Sequence, residues 1–143
     1  MKSFRENSPT YQIALTRIII VKEFTRFLKE NNVKITPEQL ELLNVLLEKN
    51  GRSMQEITNI TKKDNSATTR MVDILEKQNF VSRNPSKIDR RLKLINISEI
   101  GIKEVSKANK IASKFIDSAT KDIDTNELYI FLSVLQKIRN NIS

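Results

Sequence analysis

The sequence predicts a mainly α-helical fold interrupted by one β-hairpin, and three observations carry that reading. Two glycines and three prolines in 143 residues leave few turn-formers for an all-β chain. Apolar residues recur at three-four spacing over long stretches towards both ends, as amphipathic helices require. Only from Phe80 to Ile97 does the pattern change to short, partly alternating runs.

From about Thr10 to Glu30, the positions Ile13, Ile18, Ile20, Val21, Phe24, Phe27 and Leu28 cover more than one narrow stripe, which predicts a helix buried on two sides. Thr36-Pro37-Glu38-Gln39 opens a second helix: Thr36 caps, Pro37 suits the first turn and Gln39 completes a capping box. That helix runs through Leu40, Leu43 and Leu46 and stops at Asn50-Gly51. Ser53-Met54-Gln55-Glu56 is a further capping box, opening a short helix through Ile57 and Ile60. Lys62-Lys63-Asp64-Asn65-Ser66 reads as a polar turn ending at a new N-cap. The helix after it turns Met71, Val72 and Leu75 inward and Ser66, Thr69, Arg70, Asp73 and Lys77 outward. A hairpin follows, with Phe80 to Arg83 and Leu92 to Ile97 as its strands; alternation breaks at Leu94-Ile95. Ser98-Glu99 caps a long helix reaching about Asp122. Asp124 to Glu127 starts the last one, whose Leu128, Phe131, Leu132, Leu135, Ile138 and Ile142 form a broad apolar face.

Composition narrows the chemistry. The chain has no Cys and no His, which removes thiol nucleophiles, disulfides, imidazole bases and the usual zinc ligands together. No phosphate-cradling glycine loop or nucleophile motif is present, so no enzyme, cofactor or metal is expected. The net charge of +8 favours a polyanionic partner. Residues 51–95 hold 10 basic and 5 acidic groups, and so carry +5 of that charge. The longest wholly apolar run, Ile18 to Val21, is far short of the roughly 20 residues that span a bilayer. Residues 1–11 lack a secretory signal's apolar stretch, so a cytoplasmic protein without a membrane partner is expected.

Two short capped helices followed by a polar hairpin, all in the most basic third, match a winged helix-turn-helix, in which the second short helix enters the major groove and the hairpin reaches the flanking backbone or minor groove. Asn65, Ser66, Thr69 and Arg70 supply small polar and cationic groups on the reading helix, and Lys87, Arg90 and Arg91 supply the hairpin tip. Lys62 and Lys63 suit phosphate or solvent better than base readout, because a flexible ammonium specifies poorly beside bidentate Arg. Met54 and Met71 fit the core.

These residues resemble the MarR (multiple antibiotic resistance regulator) family. The likeness rests on Thr61 to Arg70, Leu75-Glu76-Lys77, Val81-Ser82-Arg83, Asp89-Arg90-Arg91 and Ile97-Ser98-Glu99-Ile100-Gly101, and covers about residues 36–101. The most specific part is the wing signature, Asp-x-Arg and then, after a strand, Leu-Thr-x-x-Gly; Ser98 stands for Thr here and keeps the capping oxygen. The resemblance implies a homodimeric transcriptional regulator, usually a repressor. Arg91 would enter the minor groove with Asp89 orienting it through a salt bridge. Many members release DNA when a small ligand occupies a crevice between the dimerising and DNA-binding parts, here bordered by the first, second and fifth of the helices above.

The sequence therefore predicts a mainly α winged helix-turn-helix at residues 36–98, with the long N- and C-terminal helices, 1–35 and 99–143, forming a dimerisation region. Double-stranded DNA, a second copy of the chain and a small-molecule effector are the expected partners. The expected DNA-binding residues are Lys63, Asn65, Ser66, Thr69, Arg70, Lys87, Asp89, Arg90 and Arg91. The competing reading is an architectural or protein-interaction winged helix that coats nucleic acid without selectivity.

Overall fold

The computed structural model describes residues 3–143. Its elements follow in the order α1 (Phe4–Asn7), α2 (Pro9–Glu30), α3 (Pro37–Glu48), β1 (Arg52–Ser53), α4 (Met54–Thr61), α5 (Asn65–Lys77), β2 (Val81–Pro85), β3 (Lys93–Ile97), α6 (Glu99–Ala119) and α7 (Thr125–Ile142). The chain forms two compact units, one running to Ala112 and the other Ser113–Ser143.

In the first unit the helix starts stand where their capping residues put them. The Thr36 hydroxyl accepts the Gln39 N–H at 3.2 Å and the Gln39 side chain accepts the Thr36 N–H at 3.0 Å. Ser53 and Glu56 repeat the arrangement at 3.2 and 2.8 Å, which satisfies two otherwise orphaned donors at the start of α4. The Ser53 backbone N–H, and after it the Ser53 hydroxyl and the charges of Lys49 and Arg52, hold the Glu56 carboxyl below its ordinary value against the opposing effect of burial. Its ionised form thus stabilises the fold above the unfolded pKa of about 4.3, and that contribution is lost as pH falls through the lower folded value. Melting curves between about pH 6 and pH 3 should show a smaller acid-side decline in Glu56→Gln than in the wild type, since Gln keeps the acceptor and loses the titration.

The hairpin forms as expected and gains a strand. Antiparallel β2 and β3 pair from Val81 opposite Ile97 to Pro85 opposite Lys93, and β1 adds to the other side of β3 with Arg52 opposite Ile95 and Ser53 opposite Leu94. The break at Leu94-Ile95 now has a cause. Ile95 and Ile97 are buried in the core, while Leu94 takes the alternate position and is half-buried. Leu43, Leu46, Ile57, Val72, Leu75, Val105 and Ala108 close the core around them.

Helix α6 sits tightly on this core at its start. The Ser98 hydroxyl accepts the Gly101 N–H at 3.0 Å and donates to the Asn79 carbonyl at 2.6 Å. A Cβ on Gly101 would run into the Phe80 carbonyl oxygen and lie 2.9 Å from Ile97 Cγ1. Further along, the Lys107 ammonium donates to the Asn32 carbonyl at 2.7 Å, and the amides of Asn44 and Asn109 hydrogen-bond each other reciprocally at 2.8 and 3.1 Å.

Helix α2 departs from expectation. Of its residues Leu28 alone is fully buried among the apolar set; Ile18 and Ile19 are 62% and 53% exposed. Two-sided burial therefore does not occur within the single chain, because the core reaches only its C-terminal turns. In the second unit, Asp124 and Glu127 form a capping box that starts α7, where Tyr129, Ile130, Phe131, Leu132 and Ile142 are exposed.

Candidate nucleic-acid interface

A tight turn joins α4 to α5. Lys62 takes the left-handed conformation at φ 58°, which reverses the chain, and Asp64 then caps α5 by accepting the Ala67 N–H at 2.7 Å. The cap lies two residues before the expected turn end at Ser66, since a carboxylate after the left-handed residue reaches the orphan amide first. This placement puts a negative charge at the start of α5, which opposes phosphate binding by the helix amides there.

Asn65, Ser66, Thr69 and Arg70 are all exposed on α5, while Val72 and Leu75 are buried and Met71 is half-buried, as the helical spacing requires. The Thr69 hydroxyl donates to the Asn65 carbonyl at 2.8 Å, so outwardly it offers an acceptor and a methyl group. Asp73 and Lys77 share the exposed side.

The hairpin is bolted to α5 by a residue that sequence reading missed. The Arg83 guanidinium pairs with Asp73 at 2.5 Å and Glu76 at 2.7 Å, and Glu76 also accepts the Arg83 backbone N–H at 3.2 Å. Burial pulls its pKa down, but the Asp73 hydrogen bond and the charges of Glu76 and Asp73 outweigh that and hold it above the ordinary value. Two carboxylates compensate this cation, which makes it a strut between the hairpin and α5. In the sequence Arg83 is one residue of the Val81-Ser82-Arg83 match, ten positions after Asp73, and nothing there marks it as a partner of α5.

Beyond the strut the tip is built around Ser86, also missed. Buried at 8% exposure, its hydroxyl accepts the N–H groups of Ile88 at 3.2 Å and Asp89 at 3.4 Å, and its own N–H donates to the Leu92 carbonyl at 2.8 Å. Lys87, Asp89, Arg90 and Arg91 are thereby turned into solvent. Asp89 accepts the Arg91 backbone N–H at 3.1 Å and lies 3.9 Å from its Nε, with the Arg91 side chain 96% exposed. Lys63 is placed differently from its companions: its ammonium lies 3.9 and 3.7 Å from Glu38 and Glu41 of α3, and its side chain is only 20% exposed.

The MarR family profile matches residues 35–93. Those residues are a MarR-family domain. All nine expected DNA-binding residues lie inside the MarR domain, whereas Ser98 and Gly101 follow it. The HTH-type transcriptional regulator YdgJ of Bacillus subtilis (strain 168) is 27% identical over 109 residues; the match covers 76% of this chain and 66% of that protein. The transcriptional repressor CouR, solved bound to a 23-mer DNA duplex, superposes with a TM-score of 0.87 at 23% identity, covering 97% of this chain and 98% of that one. Bordetella bronchiseptica BpsR, whose DNA binding is regulated by 6-hydroxynicotinic acid, gives a TM-score of 0.87 at 16% identity, covering 97% of each chain. The fold is thus a winged helix of the MarR type. MarR proteins are DNA-binding transcriptional regulators and not enzymes.

The MarR domain also contains a shallow groove of about 300 Å³ between the start of α3 and the face of α5, lined by Thr36, Glu38, Gln39, Ala67, Arg70, Met71 and Ile74. It lies between the second and fourth helices of the sequence reading, not in a crevice shared with the fifth. No helix among the described residues is long and apolar enough to cross a membrane.

Proposed function

We propose that the chain acts in the cytoplasm as a homodimeric repressor, reading a pseudo-palindromic operator with α5 in the major groove and the hairpin tip beside it. The observation that carries this reading is the joint exposure, on a MarR domain, of Asn65, Ser66, Thr69 and Arg70 with Lys87, Arg90 and Arg91, whose charges are left for an outside partner. Among the described residues only Arg91 of these has a carboxylate within 4.0 Å, and that pair is loose and solvated. Lys63, already compensated by two carboxylates, contributes least.

Dimerisation is supported by the apolar side chains that a lone chain leaves in water, among them Ile18 and Ile19 on α2 and Tyr129, Ile130 and Leu132 on α7. Effector release is supported by the groove under α5. A small molecule seated there touches Arg70 directly, so it alters a DNA-facing side chain without needing a distant relay.

Purified protein mixed with fragments of its source genome tests the reading. Recovered fragments should share a palindrome with half-sites one helical turn apart, about 10 bp. Log affinity should fall by about 0.9 per phosphate contact per decade of salt. Equal retention of random and selected fragments would instead establish the architectural reading.

A further inference from the structure

Ile88 stands out on the wing because the fold does nothing with it. The side chain is 100% exposed, at the outermost turn of the hairpin, between Lys87 and Asp89 and close in sequence to Arg90 and Arg91. An aliphatic group in that position gains nothing from folding and everything from a partner that removes it from water. Nor is it on a loose loop. The Ser86 hydroxyl holds the Ile88 N–H, Leu92 closes the turn by donating to the Asp89 carbonyl at 3.0 Å, and the buried Ser86 anchors the whole. The tip therefore offers a pre-set apolar point in a segment that also carries Lys87, Arg90 and Arg91, at little ordering cost.

We propose that Ile88 is a specificity-determining contact of the wing: an apolar wedge that buries against the sugar walls and base edges of the minor groove and favours a deformable pyrimidine–purine step there. The inference rests on the DNA-binding reading above. The cations beside it bring the tip to the phosphates, but they reward any sequence alike. An apolar side chain entering a groove about 6 Å wide has to spread or unstack a step, and TA and CA/TG steps yield most easily. Ile88 thereby converts a charge-driven contact into a sequence-dependent one without hydrogen-bonding a base.

The test compares wild type, Ile88→Asn and Ile88→Leu on the selected operator and on operators changed only at the wing-contacted step. Because the position is fully exposed, all three should melt at the same temperature. Ile88→Asn should weaken operator binding about tenfold, with an unchanged salt slope because no charge is altered, and should lose the preference for the flexible step. Ile88→Leu should stay within about twofold of wild type and keep that preference. Binding and step preference unchanged in Ile88→Asn would overturn the wedge while leaving DNA binding intact. Normal operator binding with regulation lost in cells would also overturn it, in favour of a protein partner at the tip. Wild type that retains no duplex at all would instead overturn the DNA-binding reading, and the wedge with it.

Discussion

Gly101→Ala should lower the stability of the chain by about 2 kcal/mol, although it places a better helix former inside α6. Two opposed effects decide the sign. Replacing Gly by Ala in a helix interior is worth up to about 1 kcal/mol in favour of the variant. Against it, the new methyl runs into the Phe80 carbonyl oxygen, a backbone atom already receiving the Ser98 N–H at 2.9 Å, and crowds Ile97. Overpacking of that kind costs about 1–3 kcal/mol and more when the obstacle is backbone that cannot swing aside. Urea titration should show an earlier midpoint with the same slope. The thermal midpoint should fall by about 7 °C, from an expected few degrees per kcal/mol at this chain length. A midpoint equal to or above the wild type would mean that α6 shifts freely and that its close approach to the hairpin base is dispensable.

Arg91→Ala should weaken operator binding by about 10- to 100-fold and reduce the salt slope by about one contact. The arginine is 96% exposed and its nearest carboxylate, Asp89, lies 3.9 Å away, so its removal costs the free protein almost nothing and the effect falls on the complex. Thr69→Ala provides the contrast. It removes an acceptor and alters an apolar contact surface without changing charge, so the slope should stay while discrimination between bases at one operator position relaxes. Binding curves at several salt concentrations, on the operator and on scrambled duplexes, measure both. If each variant weakened every duplex by the same factor, the chain would coat nucleic acid and not read it.

Much of the fold was legible because local chemistry and global packing agree. The capping boxes at Thr36, Ser53 and Asp124 fix helix starts by short-range hydrogen bonds, which the residue order alone displays. What escaped were features that depend on distant partners. Strand β1 is two residues long and exists only because β3 offers it an edge. Arg83 looked like any strand cation until Asp73 and Glu76 were brought beside it. Lys63 had the composition of a phosphate contact, yet it folds towards Glu38 and Glu41, a pairing between turn and helix with no sequence period to reveal it. The apolar pattern of α2 predicted burial on two sides, which the chain does not provide, because periodicity shows where apolar residues lie and not what packs on them. The groove between α3 and α5 was missed for the same reason, since its walls come from residues about thirty positions apart.

The Arg83 strut makes α5 and the hairpin a single lever. A tilt of α5, such as a molecule lodged beside Arg70 and Ile74 would impose, would be carried through Asp73 and Glu76 to β2 and would move the cationic tip with the helix. Under the proposed function, helix and tip would then leave the duplex together in one movement and not one after the other.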